Sequence, residues 1–218
     1  SLGHKALQLW DKPDAGLWEL RTRQQVHTYS AVICWAACDR LARIAARLEM
    51  TERHDFWAKG AETIRNGILE RAWNSRLNSL VSAFDGEDMD ASLLCLQEIG
   101  FLPADDPRFL GTLAQVEKQL KRGRFLHRYV SADDFGEPEV AFNVCTFWYI
   151  DALAAVGRTE EARNLFETML AARNPLGLLS EDMATDTQVL WGNFPQTYSM
   201  VGLINSAMRL SKTWEEAY

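Results

Sequence analysis

Apolar residues recur every three or four positions along most of the chain, and strand-like alternation of apolar and polar residues is almost absent. Capping residues separate the periodic segments, so the pattern predicts an all-α chain of about eight helices. The clearest predicted helix covers about 28–49 and has one wide apolar face that includes Ile33, Ile44 and Leu48. A second segment, about 142–156, is apolar nearly all round, which predicts a helix in the interior of a layered structure.

The remaining predicted helices also follow this period. They cover about 51–73, 105–124, 159–173 and 196–210, with short helices at the amino terminus and from Asp90. Helix hairpins of this kind form bundles, solenoids or α/α toroids. Three longer loops connect them, at 12–27, 124–141 and 174–193, and long loops are where binding and catalytic residues concentrate.

Two of these loops carry candidate acids. In the first, Glu19 directly follows Trp18 and lies two residues before Arg21. A carboxylate packed against an indole is desolvated, which would raise its pKa towards the range of a general acid. In the third loop, Glu181 and its acidic neighbour precede the segment Trp191-Gly-Asn-Phe-Pro-Gln. Indole rings cover the C–H surfaces of sugars and amides bind hydroxyls, so this composition indicates carbohydrate recognition.

Other motifs predict no cofactor and no metal site. The acids Asp133 and Asp134 have a spacing found in magnesium–diphosphate sites, but Gly136 and Pro138 favour a solvated turn there. The four histidines are scattered without metal-ligand spacing, and no glycine-rich phosphate loop is present. The four cysteines lie in apolar helical patterns, which predicts reduced core thiols.

Charge and composition narrow the class of partner. The 218 residues carry a formal net charge of −7 without a basic stretch, which argues against a nucleic-acid partner. Apolar runs fall short of the ~20 residues of a membrane span, so no membrane partner is expected. Since no export signal is visible, a cytoplasmic location is expected.

Several segments together resemble one enzyme family. The segment Gly16-Leu-Trp-Glu-Leu-Arg21 and the segment 29–40 resemble the G-[IL]-W-E and S-x-V-M-C-W-x-A-x-D-R blocks of the glucoamylase-like enzymes, glycoside hydrolase family 15. Further blocks match in the family's order: 89–93, 100–108, Arg128-Tyr129, 178–182 and 192–199. The matches cover nearly the whole chain.

The resemblance implies part of an (α/α)6 barrel, in which twelve helices form two rings around an exo-acting α-glucosidase site. It implies that Glu19 is the general acid and Glu181 the base of an inverting mechanism. An inverting pair stands ~6.5–9.5 Å apart. Trp18 would line the sugar funnel and Arg128 would bind glucose hydroxyls. The resemblance implies wall positions for two further residues, Arg21 and Trp191.

Two departures limit the comparison with the family. Tyr29 and Ala31 stand where many members carry His and Lys, so the substrate pocket is expected to differ. Eight helices also cannot close a ring of twelve. Residues 1–218 are therefore expected to form a single segment, the C-terminal half to two-thirds of a catalytic domain, which is inactive alone and able to self-associate through its open edge.

The sequence leaves several functions open. Maltooligosaccharides, isomaltose and trehalose all remain candidate substrates. An alternative is a catalytically inactive domain of this family that binds carbohydrate or regulates, although the presence of both acids argues against it. A third hypothesis, a helical-repeat scaffold for protein partners, requires a repeating unit of ~34–47 residues, and none is found.

Overall fold

The computed structural model describes residues 2–131 and 136–211. Eight α-helices lie within these ranges. They are α1 (Leu2–Leu9), α2 (Thr28–Arg47), α3 (Thr51–Arg71), α4 (Cys95–Glu98), α5 (Pro107–Leu120), α6 (Asn143–Ala155), α7 (Thr159–Ala171) and α8 (Thr197–Ser211), and a 3₁₀ turn at Ala91–Leu94 precedes α4.

The helices form hairpins, as the sequence predicts. Only residues 48–50 separate α2 from α3, and the two helices contact each other along their lengths. Residues 156–158 join α6 to α7 in the same way, and α8 packs against both. Short connections of this kind place consecutive helices antiparallel, so the prediction of an all-α fold built from hairpins is confirmed.

Short β-ribbons connect the helices, which the sequence pattern did not predict. Two are hairpins, β1 (Trp73–Asn74) with β2 (Ser79–Leu80) and β3 (Lys121–Arg122) with β4 (Phe125–Leu126). The third has three antiparallel strands, β5 (Ala141–Phe142), β6 (Asp182–Met183) and β7 (Leu190–Trp191), with β6 in the centre. Strands of two residues are too short to show a period of two.

Helix α6 lies in the core, as its all-round apolar pattern predicts. Phe147, Ile150 and Leu153 are fully buried, and the polar residues Asn143 and Thr146 are buried with them. The helix contacts α4, α7 and α8 and the ribbon strands β4 and β5. Because α6 is closely packed by its neighbours, its amino-terminal end has a fixed position, and so have the segments attached there.

Some sequence predictions are corrected. The apolar face of α2 is only partly covered, since Ile33, Ile44 and Leu48 are 43, 53 and 63% exposed. The helix predicted from Asp90 is a 3₁₀ turn followed by the short α4. Helix α5 ends at Leu120, because the basic residues after it pair in a β-hairpin instead.

The predicted core thiols are found in part. The four cysteines are free, and three of them are buried, but Cys34 is only half-buried. Among the described residues, no helix combines the length and the apolar character needed to cross a membrane.

A buried carboxyl on α6 predicts how stability depends on pH. Asp151 accepts a hydrogen bond from Ser206 Oγ at 2.8 Å, and burial raises its pKa from 3.8 to about 7. Asp151 in the native state therefore holds a proton that the unfolded chain has released. The stabilisation from this bound proton is fully present below the unfolded pKa and is lost as pH rises through about 7. The free energy of unfolding should fall less steeply in Asp151→Asn than in the unchanged protein between about pH 4 and about pH 8. Urea unfolding at each pH measures this, and parallel curves would contradict it.

Candidate functional site

The loop before α2 holds Glu19 in an unusual backbone conformation. Asp14 Oδ1 accepts a hydrogen bond from the Gly16 N–H at 2.6 Å, and the Glu19 N–H donates to the Gly16 carbonyl at 3.2 Å. The turn gives Glu19 a φ of 55°, the left-handed region that non-glycine residues rarely adopt. Such a conformation costs of order 1–3 kcal/mol and persists where the surrounding structure enforces it. The turn therefore sets the direction of the Glu19 side chain.

Trp18 is turned into the structure. Its Nε1 donates to Asp90 Oδ2 at 2.6 Å, and its ring centroid lies 5.5 Å from that of Phe142 and 6.1 Å from that of Tyr129. Glu19 itself is exposed. The expectation that Trp18 shields Glu19 from water is therefore wrong within this chain, because the indole is committed to Asp90 and to the aromatic cluster instead.

Asp90 is the half-buried partner that orients Trp18. It accepts a second hydrogen bond from the Ser92 N–H at 2.8 Å. Burial raises the pKa of Asp90, while the hydrogen bonds from Ser92 and Trp18 act in the opposite direction. Tyr29, at the start of α2, interacts electrostatically with Asp90. Burial, and then Cys95, Glu98 and Asp90, raise the pKa of Tyr29 to about 12.

The third loop holds the carboxylate of Glu181 through both of its oxygens. Oε2 accepts from the Asn193 N–H at 3.2 Å and from Asn193 Nδ2 at 2.9 Å, and Oε1 accepts from Gln196 Nε2 at 3.3 Å. All three partners are N–H donors, which match an ionised carboxylate. The half-buried Glu181 is thus oriented by its own loop.

Arg128 and Asp182 complete the same region. The Arg128 guanidinium lies 5.0 Å from the ring centroid of Tyr129 and 5.9 Å from that of Phe142. Burial and the neighbouring Glu181 raise the pKa of Asp182 to about 7, while Arg128 lowers it. In the ribbon, Asp182 pairs with Phe142 on one side and with Trp191 on the other.

The structure brings two of the six candidate residues to one ring, and the chain next to Glu181 pairs beside it. Trp18 and Arg128 both contact Phe142, and Phe142 pairs with the residue after Glu181. Trp191 lies in the outer strand β7, where it pairs with Asp182, and it is 58% exposed. Arg21 is also exposed, on the surface of the first loop. The roles of these residues, and those of Glu19 and Glu181, stay predictions.

Sequence reasoning missed several residues of this region. The sequence pattern predicts Asp90 only as a helix start and places Asn143 only within an apolar helix. It marks Asp182 only as the acidic neighbour of Glu181. The acids Asp133 and Asp134 lie outside the described residues. Within the described ranges, no group of three or more His, Cys, Asp and Glu side chains is arranged to hold a metal ion.

Comparison with known proteins shows the family of this chain. The sequence profile of the glycosyl hydrolases family 15 matches residues 4–208. A trehalase from Thermoplasma volcanium is 37% identical over 205 residues, which are 94% of this chain and 33% of the relative. A trehalase from Mycobacterium tuberculosis is 34% identical over 216 residues, which are 98% of this chain and 32% of the relative. The chain thus spans about a third of the length of these curated relatives.

A solved structure shows the fold. A bacterial glucoamylase complexed with acarbose superposes with a TM-score of 0.78 at 16% identity, over 94% of this chain and 36% of that one. The predicted fold class, part of a glucoamylase-like (α/α)6 toroid, is therefore confirmed. The profile match and the trehalase relatives go further, and the chain belongs to glycosyl hydrolases family 15.

The approach of Gly192 to both acids predicts a sensitive position. A Cβ there would lie 2.9 Å from Glu181 Oε2 and 2.9 Å from Asp182 Oδ2. Gly192→Ala should therefore displace both carboxylates. If these acids act on a substrate, the rate should fall by ~10²-fold, since small misplacements of reacting groups have effects of this size. Initial rates of glycoside hydrolysis by the full-length protein measure this effect.

Gly177→Ala is the matched control for this variant. Gly177 has a φ of +80°, close to the +77° of Gly192, but its nearest atom is Arg173 Nη1 at 3.9 Å. Both variants strain the backbone equally, and only Gly192→Ala disturbs the acids. Equal activity of the two variants would contradict the importance of this contact.

Proposed function

We propose that the protein is an exo-acting, inverting α-glucosidase that removes terminal glucose from α-linked glucosides, with trehalose as the leading substrate. The observation that carries the proposal is the Glu181 carboxylate, held by three N–H donors next to Asp182, whose carboxyl group also interacts with Arg128. The names of the related trehalases support trehalose over maltooligosaccharides and isomaltose.

In this mechanism Glu181 is the general base. Asn193 and Gln196 orient its carboxylate, which can accept a proton from the attacking water. Glu19, in the loop before α2, is the general acid that protonates the glycosidic oxygen as the bond breaks. Inversion requires ~6.5–9.5 Å between the two carboxyl groups, so that the water fits between Glu181 and the sugar.

The remaining candidates bind the substrate. The guanidinium of Arg128 stacks beside Tyr129 and Phe142, so it has a defined position from which to donate hydrogen bonds to glucose hydroxyls. Trp18 forms part of the funnel wall. Its N–H is already bonded to Asp90, so only the ring is left to contact a sugar. Arg21 and Trp191 are exposed and serve as outer wall residues.

The catalytic unit extends beyond this segment in our proposal. The chain spans about a third of the length of the trehalase relatives, and Glu19 and part of the apolar face of α2 are exposed within it. We expect further helices of the toroid to cover these surfaces. The isolated 218-residue segment should therefore release no glucose from trehalose and should self-associate through its open edge. Glucose assays and light scattering measure both, and glucose release by the monomeric segment would contradict the proposal.

Rates on two substrates distinguish the loss of the general acid from the loss of the general base. Glu181→Gln should lower the rate by ~10²-fold or more on both trehalose and α-glucosyl fluoride, because both reactions need an activated water. Glu19→Gln should lose a similar factor on trehalose but much less on the fluoride, because fluoride leaves without being protonated. Steady-state rates of the full-length protein on each substrate provide the measurement.

Asp186→Asn is the control for the loss of one acid, since this exposed residue lies in the same loop as Glu181. It should leave both rates unchanged. Unchanged rates in Glu181→Gln would remove that residue from the mechanism. Absence of any hydrolysis by the unchanged full-length protein would instead favour the inactive binding or regulatory domain.

A further inference from the structure

Asn143 holds the main chain of the Glu181 loop at two consecutive carbonyl groups. Its N–H donates to the Glu181 carbonyl at 2.9 Å, and its Nδ2 donates to the Ser180 carbonyl at 2.9 Å. Asn143 is the first residue of α6 and is fully buried. A residue fixed in the core therefore restrains the peptide groups on both sides of Glu181.

A second helix also bonds the Ser180 carbonyl. Ser199 Oγ, near the start of α8, donates to the Ser180 carbonyl at 2.7 Å and is also fully buried. The Ser180 hydroxyl in turn donates to the Asp182 carbonyl at 2.5 Å. The Ser180 carbonyl is thus held from α6 and α8 at once, and the loop cannot shift without breaking hydrogen bonds that no water replaces.

The amide oxygen of Asn143 lowers the stability of the folded state. Its Oδ1 is buried and accepts no hydrogen bond from any residue in 2–131 or 136–211. An unsatisfied buried acceptor destabilises the folded state, and a leucine of similar size would avoid that cost. The Ser180 carbonyl would keep its bond from Ser199 in that case. Stability alone therefore does not explain an asparagine at this position.

We infer that Asn143 is a positioning residue for the base, which sets the place of the Glu181 carboxylate through the main chain. The inference rests on the proposed function, in which Glu181 activates the attacking water. Asn143 touches no reacting atom in this account. Its effect is on kcat, because a base displaced by a fraction of an ångström still permits substrate binding but misplaces the water.

The test is Asn143→Leu in the full-length protein with trehalose. The leucine keeps the N–H that donates to Glu181 and removes both the Nδ2 donor and the unsatisfied Oδ1. We expect kcat to fall about 10-fold or more with KM nearly unchanged, and the melting temperature to stay level or rise. The rate on α-glucosyl fluoride should fall by the same factor, as it does for a damaged base.

Ser206→Ala is the structural control, since Ser206 is equally buried and its hydroxyl bonds Asp151, away from the Glu181 loop. It should lower the melting temperature without changing kcat. An unchanged kcat in Asn143→Leu, or a lower kcat together with a lower melting temperature, would overturn the inference. If Asn143→Leu does not fold, Ser199→Ala, which removes the other donor to the Ser180 carbonyl, is compared with Ser206→Ala. The melting temperature should fall in both variants and kcat about 10-fold in Ser199→Ala alone, and equal kcat values would overturn the inference.

Glu181→Gln is measured in parallel to separate this inference from the proposed function. Loss of activity in Glu181→Gln with full activity in Asn143→Leu overturns the inference alone. Full activity in Glu181→Gln overturns both.

Discussion

The main-chain hydrogen bond from Asn143 to Glu181 joins the most enclosed helix of the chain to the loop that carries the candidate base. Helix α6 has neighbours on all sides, and its first residue stands directly after strand β5. The ribbon β5–β6–β7 then fixes Asp182 between Phe142 and Trp191. The position of the base therefore follows from the packing of the core, rather than from the loop alone.

The same strand links the candidate base to two of the residues predicted to bind sugar. Phe142 lies beside Trp18 and under the guanidinium of Arg128, so one aromatic ring contacts two of the four predicted binding residues. The two acids differ in their surroundings: three donors orient Glu181, whereas Glu19 is exposed and is directed by the strained turn that carries it. In our proposal the remaining helices of the toroid would complete the surroundings of Glu19.

The sequence was informative where a feature is local. The helix hairpins and the buried α6 follow from periodicity, and Glu19 and Glu181 lie in short contiguous motifs that resemble a family. The partners of these motifs are distant in sequence: Trp18 bonds Asp90 across 72 residues, and Asn143 bonds Ser180 across 37. No local pattern reveals such pairs. The shielding of Glu19 was wrong for the same reason, because adjacency in sequence did not decide which way Trp18 faces.

The stereochemistry of the first product tests the central claim, an inverting pair of acids, most directly. Proton NMR of the full-length protein with trehalose distinguishes the anomers of glucose before they equilibrate. An inverting mechanism converts one half of trehalose to β-glucose and releases the other half as α-glucose, so the account predicts equal initial amounts of the two anomers. Initial release of α-glucose alone would show retention and contradict the roles assigned to Glu19 and Glu181.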